Sequence, residues 1–257
     1  MQFAGKVVLI TGASSGIGAA TAKYLGSLGA SLALAGRNVE NLNKIASECH
    51  IPKNSAAPFI VTGELTNVND NKNILQSTIK HFGKLDVLIN NAGVIETGSI
   101  ENTSLEQFDR MMNINVRCIY QLTMLAVPHL IETKGNIVNV SSVNGLRSFP
   151  GVLAYCVSKA AVTQFTQCVA LELAPKQVRV NSVCPGVIVT NLHKRGGMNE
   201  EQYAAFLKRT KETHAMGRPG NTDEVAKTIG FLASDHASFI TGASIPVDGG
   251  RHAMCPR

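Results

Sequence analysis

Short apolar, β-branched runs alternate with longer amphipathic stretches along almost the whole chain. KVVLIT, SLALA, PFIVT, LDVLIN, GNIVNVS, VRVNSVC and ASIPVD read as strands. Between them, apolar positions recurring at helical spacing predict helices over Ile17–Leu28, Val39–Cys49, Val68–Phe82, Leu105–His129, Val152–Leu173 and Asp223–Ser234. Strands with little polar alternation are those of a sheet covered on both faces, which points to parallel strands between helix layers. Repeating βα units with right-handed crossovers then give an α/β, Rossmann-type doubly wound, mainly parallel seven-stranded sheet. No linker, repeat or low-complexity tract divides residues 1–257, so one domain is expected. Its irregular segment runs from Gly186 to Gly220, with helix only around Glu200–Lys211. A lid over about 187–219 and a merely structural excursion both fit that pattern.

TGASSGIG, Thr11 to Gly18, interrupts the first strand and the first helix with residues that weaken both. Glycine admits positive φ and removes the Cβ that would keep a ligand from the backbone. The free N–H groups at the start of the following helix suit a pyrophosphate. A tight turn with no ligand is the plainer reading of the octet alone. Its place after the first strand, where such sheets bind ligands, favours the nucleotide. A triphosphate-binding loop is a poor match, because Gly12 and Gly16 stand too close and no lysine follows.

YCVSK puts Tyr155 and Lys159 on one helix face, where an ammonium lowers a phenol's pKa and makes it a usable proton shuttle. Tyr and Lys at this spacing also occur on many surface helices. Ser142, at the end of GNIVNVSS, adds a hydroxyl at the sheet edge where active residues gather. Asn115 is a poor helix former in the apolar stretch DRMMNINVRCIYQL, which suggests a helical distortion or else a capped surface amide.

The formal charge of +6 raises the question of nucleic acid, but the basic residues are scattered, aromatics make up 5% and there is no Trp. The excess suits a small polyanionic cofactor equally well. Cys49, Cys118, Cys156, Cys168, Cys184 and Cys255 show no metal-ligand spacing and read as reduced core or near-core thiols; no metal is expected. Cys156 reads as packing. The start MQFAGKVVLI lacks a signal-peptide pattern, no apolar run spans a membrane, and Cys255 is one position wrong for prenylation. A cytoplasmic protein with no membrane or nucleic-acid partner is expected.

TGASSGIG, NNAG (Asn90–Gly93), the set Asn115, Ser142, Tyr155 and Lys159, and PGVIVT (Pro185–Thr190) together resemble the short-chain dehydrogenase/reductase family, in its single-domain branch. The likeness runs from Lys6 to the closing TGASIPVDGG. The extended branch places its glycines differently, and the enoyl reductase branch spaces Tyr and Lys further apart. The resemblance implies hydride transfer between a nicotinamide and a ketone or aldehyde and its alcohol. Tyr155 is then the acid or base, Lys159 lowers its pKa and holds the ribose, Ser142 polarises the carbonyl, and Asn115 holds a water in a proton relay. The implied dinucleotide site takes in Gly12, Ser14, Ser15, Gly16, Ile17, Gly18, Glu64, Leu65, Asn91, Ala92 and Gly93. Pro185, Gly186, Ile188 and Thr190 complete it at the carboxamide end.

Cofactor choice turns on the end of SLALAGRN. Gly36 stands where an NAD site carries an acid, and Arg37 follows it, able to meet a 2′-phosphate; Asn38 could add a donor. NADP(H) is expected rather than NAD(H), although Ser15 replaces a second basic residue and Glu64 replaces an Asp. Val94, Ile95, Glu96, Val143, Asn144, Phe149, Val152, Leu192, His193, Met198 and Phe206 are candidate pocket residues. They favour a hydrophobic carbonyl of steroid, retinoid, 3-oxoacyl or xenobiotic type. His193 beside Lys194 and Arg195 could meet an anionic tail, but a solvated surface cluster is the favoured reading. Relatives of this kind form homotetramers or homodimers, and the apolar LTMLAVPHL segment and the tail GGRHAMCPR suit subunit contact. A catalytically silent dinucleotide sensor or scaffold is the rival reading, for which all four catalytic positions are unneeded.

Overall fold

Val7–Thr11, buried at all five positions, forms the strand β1 around which the sheet is built. The computed structural model describes residues 2–52 and 56–254. Its other strands are β2 (Ser31–Gly36), β3 (Phe59–Thr62), β4 (Val87–Asn90), β5 (Asn136–Val140), β6 (Arg179–Pro185) and β7 (Ser244–Val247). Their order is β3-β2-β1-β4-β5-β6-β7, and every pairing is parallel. The expected sheet is therefore present without an antiparallel edge.

Helices α1 (Gly16–Ser27), α2 (Val39–Glu48) and α3 (Val68–Phe82) alternate with the first strands. Further along come α4 (Leu105–Met112), α5 (Cys118–Thr133), α6 (Leu153–Leu173), α7 (Leu192–Arg195), α8 (Glu200–Thr213) and α9 (Thr222–Ala233). One core joins Val8, Ile10 and Leu34 to Leu25, Leu42 and Ile229, so α1, α2 and α9 cover one face. The other joins Leu9, Leu88 and Ile137 to Ile74, Leu122 and Ala170, beneath α3, α5 and α6. Covering on both faces is why most strands read as unbroken apolar runs.

Sequence periodicity predicts a single helix over Leu105–His129; the structure breaks it into α4 and α5 with a π turn at Asn113–Arg117. The buried Asn115 side chain ties that turn to the loop after β4 and to α6, as its bonds below show. α1 starts one residue earlier than the pattern predicts. Between β6 and α9, the irregular segment holds the short α7 as well as α8, whose start carries a capping box between Asn199 and Gln202.

Chain order reverses between β1 and β4, and their C-terminal ends open the crevice where doubly wound sheets bind ligands. Among the described residues no helix is long and apolar enough to cross a membrane, and no cluster of His, Cys, Asp and Glu could hold a metal. Cys49, Cys118, Cys156, Cys168 and Cys184 are free thiols; Cys168 is exposed rather than in the core, and Cys255 lies outside the described residues.

Candidate active site

A cleft of about 1490 Å³ opens over the crevice, above the range of ordinary small-ligand pockets. Its floor at the dinucleotide end is the glycine-rich loop. Gly12 has φ +64°, and a Cβ there would come within 2.9 Å of the Ala92 Cα. A Cβ on Gly18 would come within 2.4 Å of the Gly12 carbonyl, so Gly18 serves loop packing and does not line the cleft. Asn91 clasps the same loop: its side-chain amide donates to the carbonyls of Thr11 (2.9 Å) and Gly12 (3.2 Å). The Thr11 hydroxyl accepts in return from the backbone N–H groups of Asn91 and Ala92. Asn90, by contrast, is structural, donating to Asn139 and Thr123 beneath the sheet.

The start of α1 has no side-chain cap, unlike those of α2, α3 and α4. Its N–H groups therefore point unclaimed at the loop lined by Ser14, Ser15 and Gly16, which fits a bound phosphate group. Ser15 instead accepts at 2.9 Å from Arg195, brought across by α7. A cation from the segment after β6 thus reaches the glycine-rich loop, where Ser15 itself supplies none.

Tyr155 and Lys159 occupy the first turns of α6, with Ser142 just beyond β5, and all three line the cleft. They are nearly buried, at 6%, 4% and 6% exposure. The Lys159 Nζ lies 5.8 Å from the Tyr155 ring centroid and donates to the Val140 carbonyl at 2.9 Å. Sequence reasoning expects the ammonium to lower the phenol's pKa, and here the structure corrects it. Burial pushes Tyr155 up to about 12, and the Ser142 hydroxyl offsets only part of that rise. Burial also pulls Lys159 down to about 8. Removal of two groups from water outweighs a charge whose hydrogen bond goes to a carbonyl and not to the phenol.

Asn115 is fully buried and does not line the cleft. Its Oδ1 accepts from the Val94 N–H at 2.9 Å, while its Nδ2 donates to the Val94 carbonyl and to the Ser158 hydroxyl, each at 3.0 Å. It locks the loop after β4 to α6. The surface-amide alternative is excluded. The π turn brings Ile114 to the cleft wall, and such turns release main-chain carbonyls from helical pairing. Gly93 lets these groups converge, since a Cβ there would lie 3.2 Å from the Asn115 Oδ1 and 3.4 Å from the Lys159 Nζ.

At the adenosine end, Gly36, Arg37, Glu64 and Leu65 line the cleft. Arg37 and Glu64 meet each other, Nη1 to Oε2 at 3.0 Å. Partial burial pushes the Glu64 carboxyl up, but the Thr66 N–H and the Arg37 guanidinium hold it below the ordinary range. The Asn38 side chain caps α2, its Oδ1 accepting from the Asn41 N–H, and Asn38 does not line the cleft. Pro185, Gly186, Ile188 and Thr190 line the opposite wall, where Val187 to Val189 bridge to Gly220.

Of the pocket candidates, Glu96 lies off the cleft, turned outward into a two-pronged pair with Arg110. Val94, Ile95, Val143, Asn144, Phe149, Val152, Leu192, His193, Met198 and Phe206 all line it. His193 is not part of a solvated cluster. Its ring packs on Phe206 with centroids 4.6 Å apart, and burial together with the charge of Arg251 holds it at about 4. Lys194 pairs with Glu200, and Arg195 reaches Ser15. Sequence reasoning missed His214, whose Nε2 accepts from the Val187 N–H and ties the end of α8 to the segment that follows β6. It also missed Arg147, Arg209, Arg251 and Met254 on the cleft wall. The run HAMGRPG offered no signal for His214, because its partner lies 27 residues back.

Comparison with known proteins agrees with this geometry. A family profile described as Enoyl-(Acyl carrier protein) reductase matches residues 12–252. The chain is 39% identical over 256 residues to meso-2,3-butanediol dehydrogenase of Serratia marcescens, covering 98% of this chain and 97% of that protein. A short-chain dehydrogenase/reductase of unknown function from Caenorhabditis elegans, solved with cofactor, superposes with a TM-score of 0.92 at 34% identity, over 99% of this chain and 98% of that one. The 3-ketoacyl-(acyl-carrier-protein) reductase of Brucella melitensis, solved with NADH, gives 0.87 at 32% identity, over 97% and 99%.

Proposed function

We propose that this chain, which belongs to the short-chain dehydrogenase/reductase family, is an NADP(H)-dependent reductase of a hydrophobic ketone or aldehyde, with residues 1–257 acting as one domain. The observation that carries the reading is the convergence of Ser142, Tyr155 and Lys159 in the cleft that the glycine-rich loop floors. When bound, the nicotinamide supplies the hydride.

Tyr155 donates the proton to the carbonyl oxygen as that oxygen gains charge, and the Ser142 hydroxyl polarises the same oxygen. With its pKa raised by burial, the phenol keeps its proton through the neutral range and is present as the acid that reduction requires. Lys159, with the Val140 carbonyl as its one bonded partner among the described residues, has donors left for a ribose hydroxyl. Its ammonium also stabilises the phenolate left after proton transfer. Asn115 positions Val94 and α6, and any relay water rests on carbonyls of the π turn, since the carboxamide is already engaged. Ile188 and Thr190 orient the carboxamide. A panel of aromatic and alicyclic ketones tests the reading: NADPH is consumed with several members, and consumption with none moves the protein to the silent sensor or scaffold.

Arg37 is the group that favours NADP(H), with no acid at Gly36 to repel a 2′-phosphate. The Brucella melitensis relative, 32% identical, was solved with NADH, the unphosphorylated cofactor. Because the Arg37–Glu64 pair is exposed, releasing Arg37 costs under about 1 kcal/mol. Glu64→Gln is therefore expected to tighten NADPH binding by about two- to fivefold, and Arg37→Met to weaken it by about 10- to 100-fold. Fluorescence titration with NADPH and NADH reads both; equal losses for the two cofactors in Arg37→Met would remove Arg37 from the choice.

The proposed assembly is a homotetramer built on α5 and α6. Tyr120, Met124 and Leu171 stand exposed there, an apolar face that a second copy would cover.

A further inference from the structure

The cleft lining also contains a cation that the reaction above does not use. Arg251, from the short turn Arg251–Ala253 after β7, lays its guanidinium over the Phe149 ring at 4.4 Å. Among the described residues its side chain forms no ion pair and donates no hydrogen bond, and its Nε is buried without a partner. Asp248, whose charge reaches Arg251, is engaged elsewhere: it accepts from the Gly250 and His252 N–H groups and pairs with the His252 ring. Arg209 faces the same space from α8, close enough that its charge opposes that of Arg251. The buried Nδ1 of His193 beside them also lacks a partner. Glu212 is the one acid of α8 on this wall.

Five donors on a half-buried guanidinium are costly to leave unpaired, and a second guanidinium nearby raises that cost. Stacking on Phe149 holds the fork in place with its donors free, which is how arginine receives a planar carboxylate. Phe149 is tied to the catalytic helix, since its carbonyl accepts from the Cys156 thiol next to Tyr155. Phe206 and Met254 add apolar surface to the same cleft.

We propose that Arg251, assisted by Arg209, receives a carboxylate at the end of the substrate remote from its carbonyl, so that the preferred substrates are oxo acids with an apolar middle. The inference rests on the carbonyl-reductase reading and narrows its substrate class.

A matched pair of probes tests it: para-acetylbenzoate and its methyl ester, alike in ring and ketone but different in charge. Calorimetry on the NADP-loaded protein gives binding, and NADPH consumption gives turnover. The acid is expected to bind on the order of 10- to 100-fold more tightly than the ester, and Arg251→Met to abolish that ratio. Arg209→Met should reduce the ratio in part, and Arg251→Lys should restore part of it. Those two variants carry the test if Arg251→Met does not fold. Equal binding of acid and ester, or a ratio unmoved in the variants, overturns the proposal. Turnover of the ester with no advantage for the acid overturns it too, while leaving the reductase reading intact. An Arg251-dependent acid site with no ketone reduced upholds the anion site and removes the reductase reading instead.

Discussion

Tyr155→Phe lowers kcat for ketone reduction by about 10³-fold while the NADPH dissociation constant stays within about threefold. The substitution removes one hydroxyl from a residue that is 6% exposed, so the packing of α6 is kept. What goes is the proton delivered to the carbonyl oxygen. Stopped-flow measurement of NADPH consumption, beside a fluorescence titration of binding, separates the two effects. A loss below tenfold would take the phenol out of the chemistry. A matching loss of NADPH affinity would make it a binding residue only.

Lys159→Met separates stability from activity. An ammonium held at about 8 instead of 10.5 carries a penalty of about 3 kcal/mol in the folded state at neutral pH. The substitution removes that penalty but leaves the Val140 carbonyl without its donor, which costs about 1–3 kcal/mol. Stability at pH 7 is thus expected to stay level or rise slightly, while kcat/KM falls by about 10²- to 10⁴-fold. The pH dependence is the sharper readout. Between about 8 and 10.5 the unfolded chain holds a proton on this lysine that the folded chain has lost, so wild-type stability climbs with pH there. Tyr155 acts in the opposite sense from 10 to about 12, because the folded phenol keeps its proton while the unfolded one ionises, and stability falls. Denaturant titrations between pH 7.5 and 10 should therefore show a rise in the wild type that Lys159→Met lacks; equal slopes would mean the lysine is not a strained buried cation.

The fold was legible because its causes are local. Strands such as Leu32–Ala35 and Val87–Asn90 are buried on both sides, and their composition says so. Asn115 also announced itself, as a polar, helix-weakening residue within an apolar stretch, and the helix does break there. The parts that could not be read depend on partners that the crossovers bring together from far along the chain. Arg37 and Glu64 each have a plausible ligand in the sequence, and only their shared edge of the sheet makes them partners for each other. Asn38 was read only as a donor to the cofactor, whereas its side-chain carbonyl oxygen caps α2 and the residue stands off the cleft lining. His193 followed its charged neighbours towards solvent in the sequence reading, whereas α8 supplies Phe206 to draw it inward. Arg251 stands in a glycine-flanked turn with no periodicity, so nothing marked it before Phe149 was placed beneath it. The acidity of Tyr155 was misread for a related reason: spacing reveals that a cation is near, but not how much water both groups lose.

The most direct measurement runs a ketone reduction with NADPH deuterated at the transferred C4 position and examines the alcohol by mass spectrometry and NMR. The account predicts one deuterium per turnover, bound to the carbinol carbon on a single face, with the hydroxyl proton drawn from solvent through Tyr155. Alcohol formed without deuterium on that carbon would contradict it.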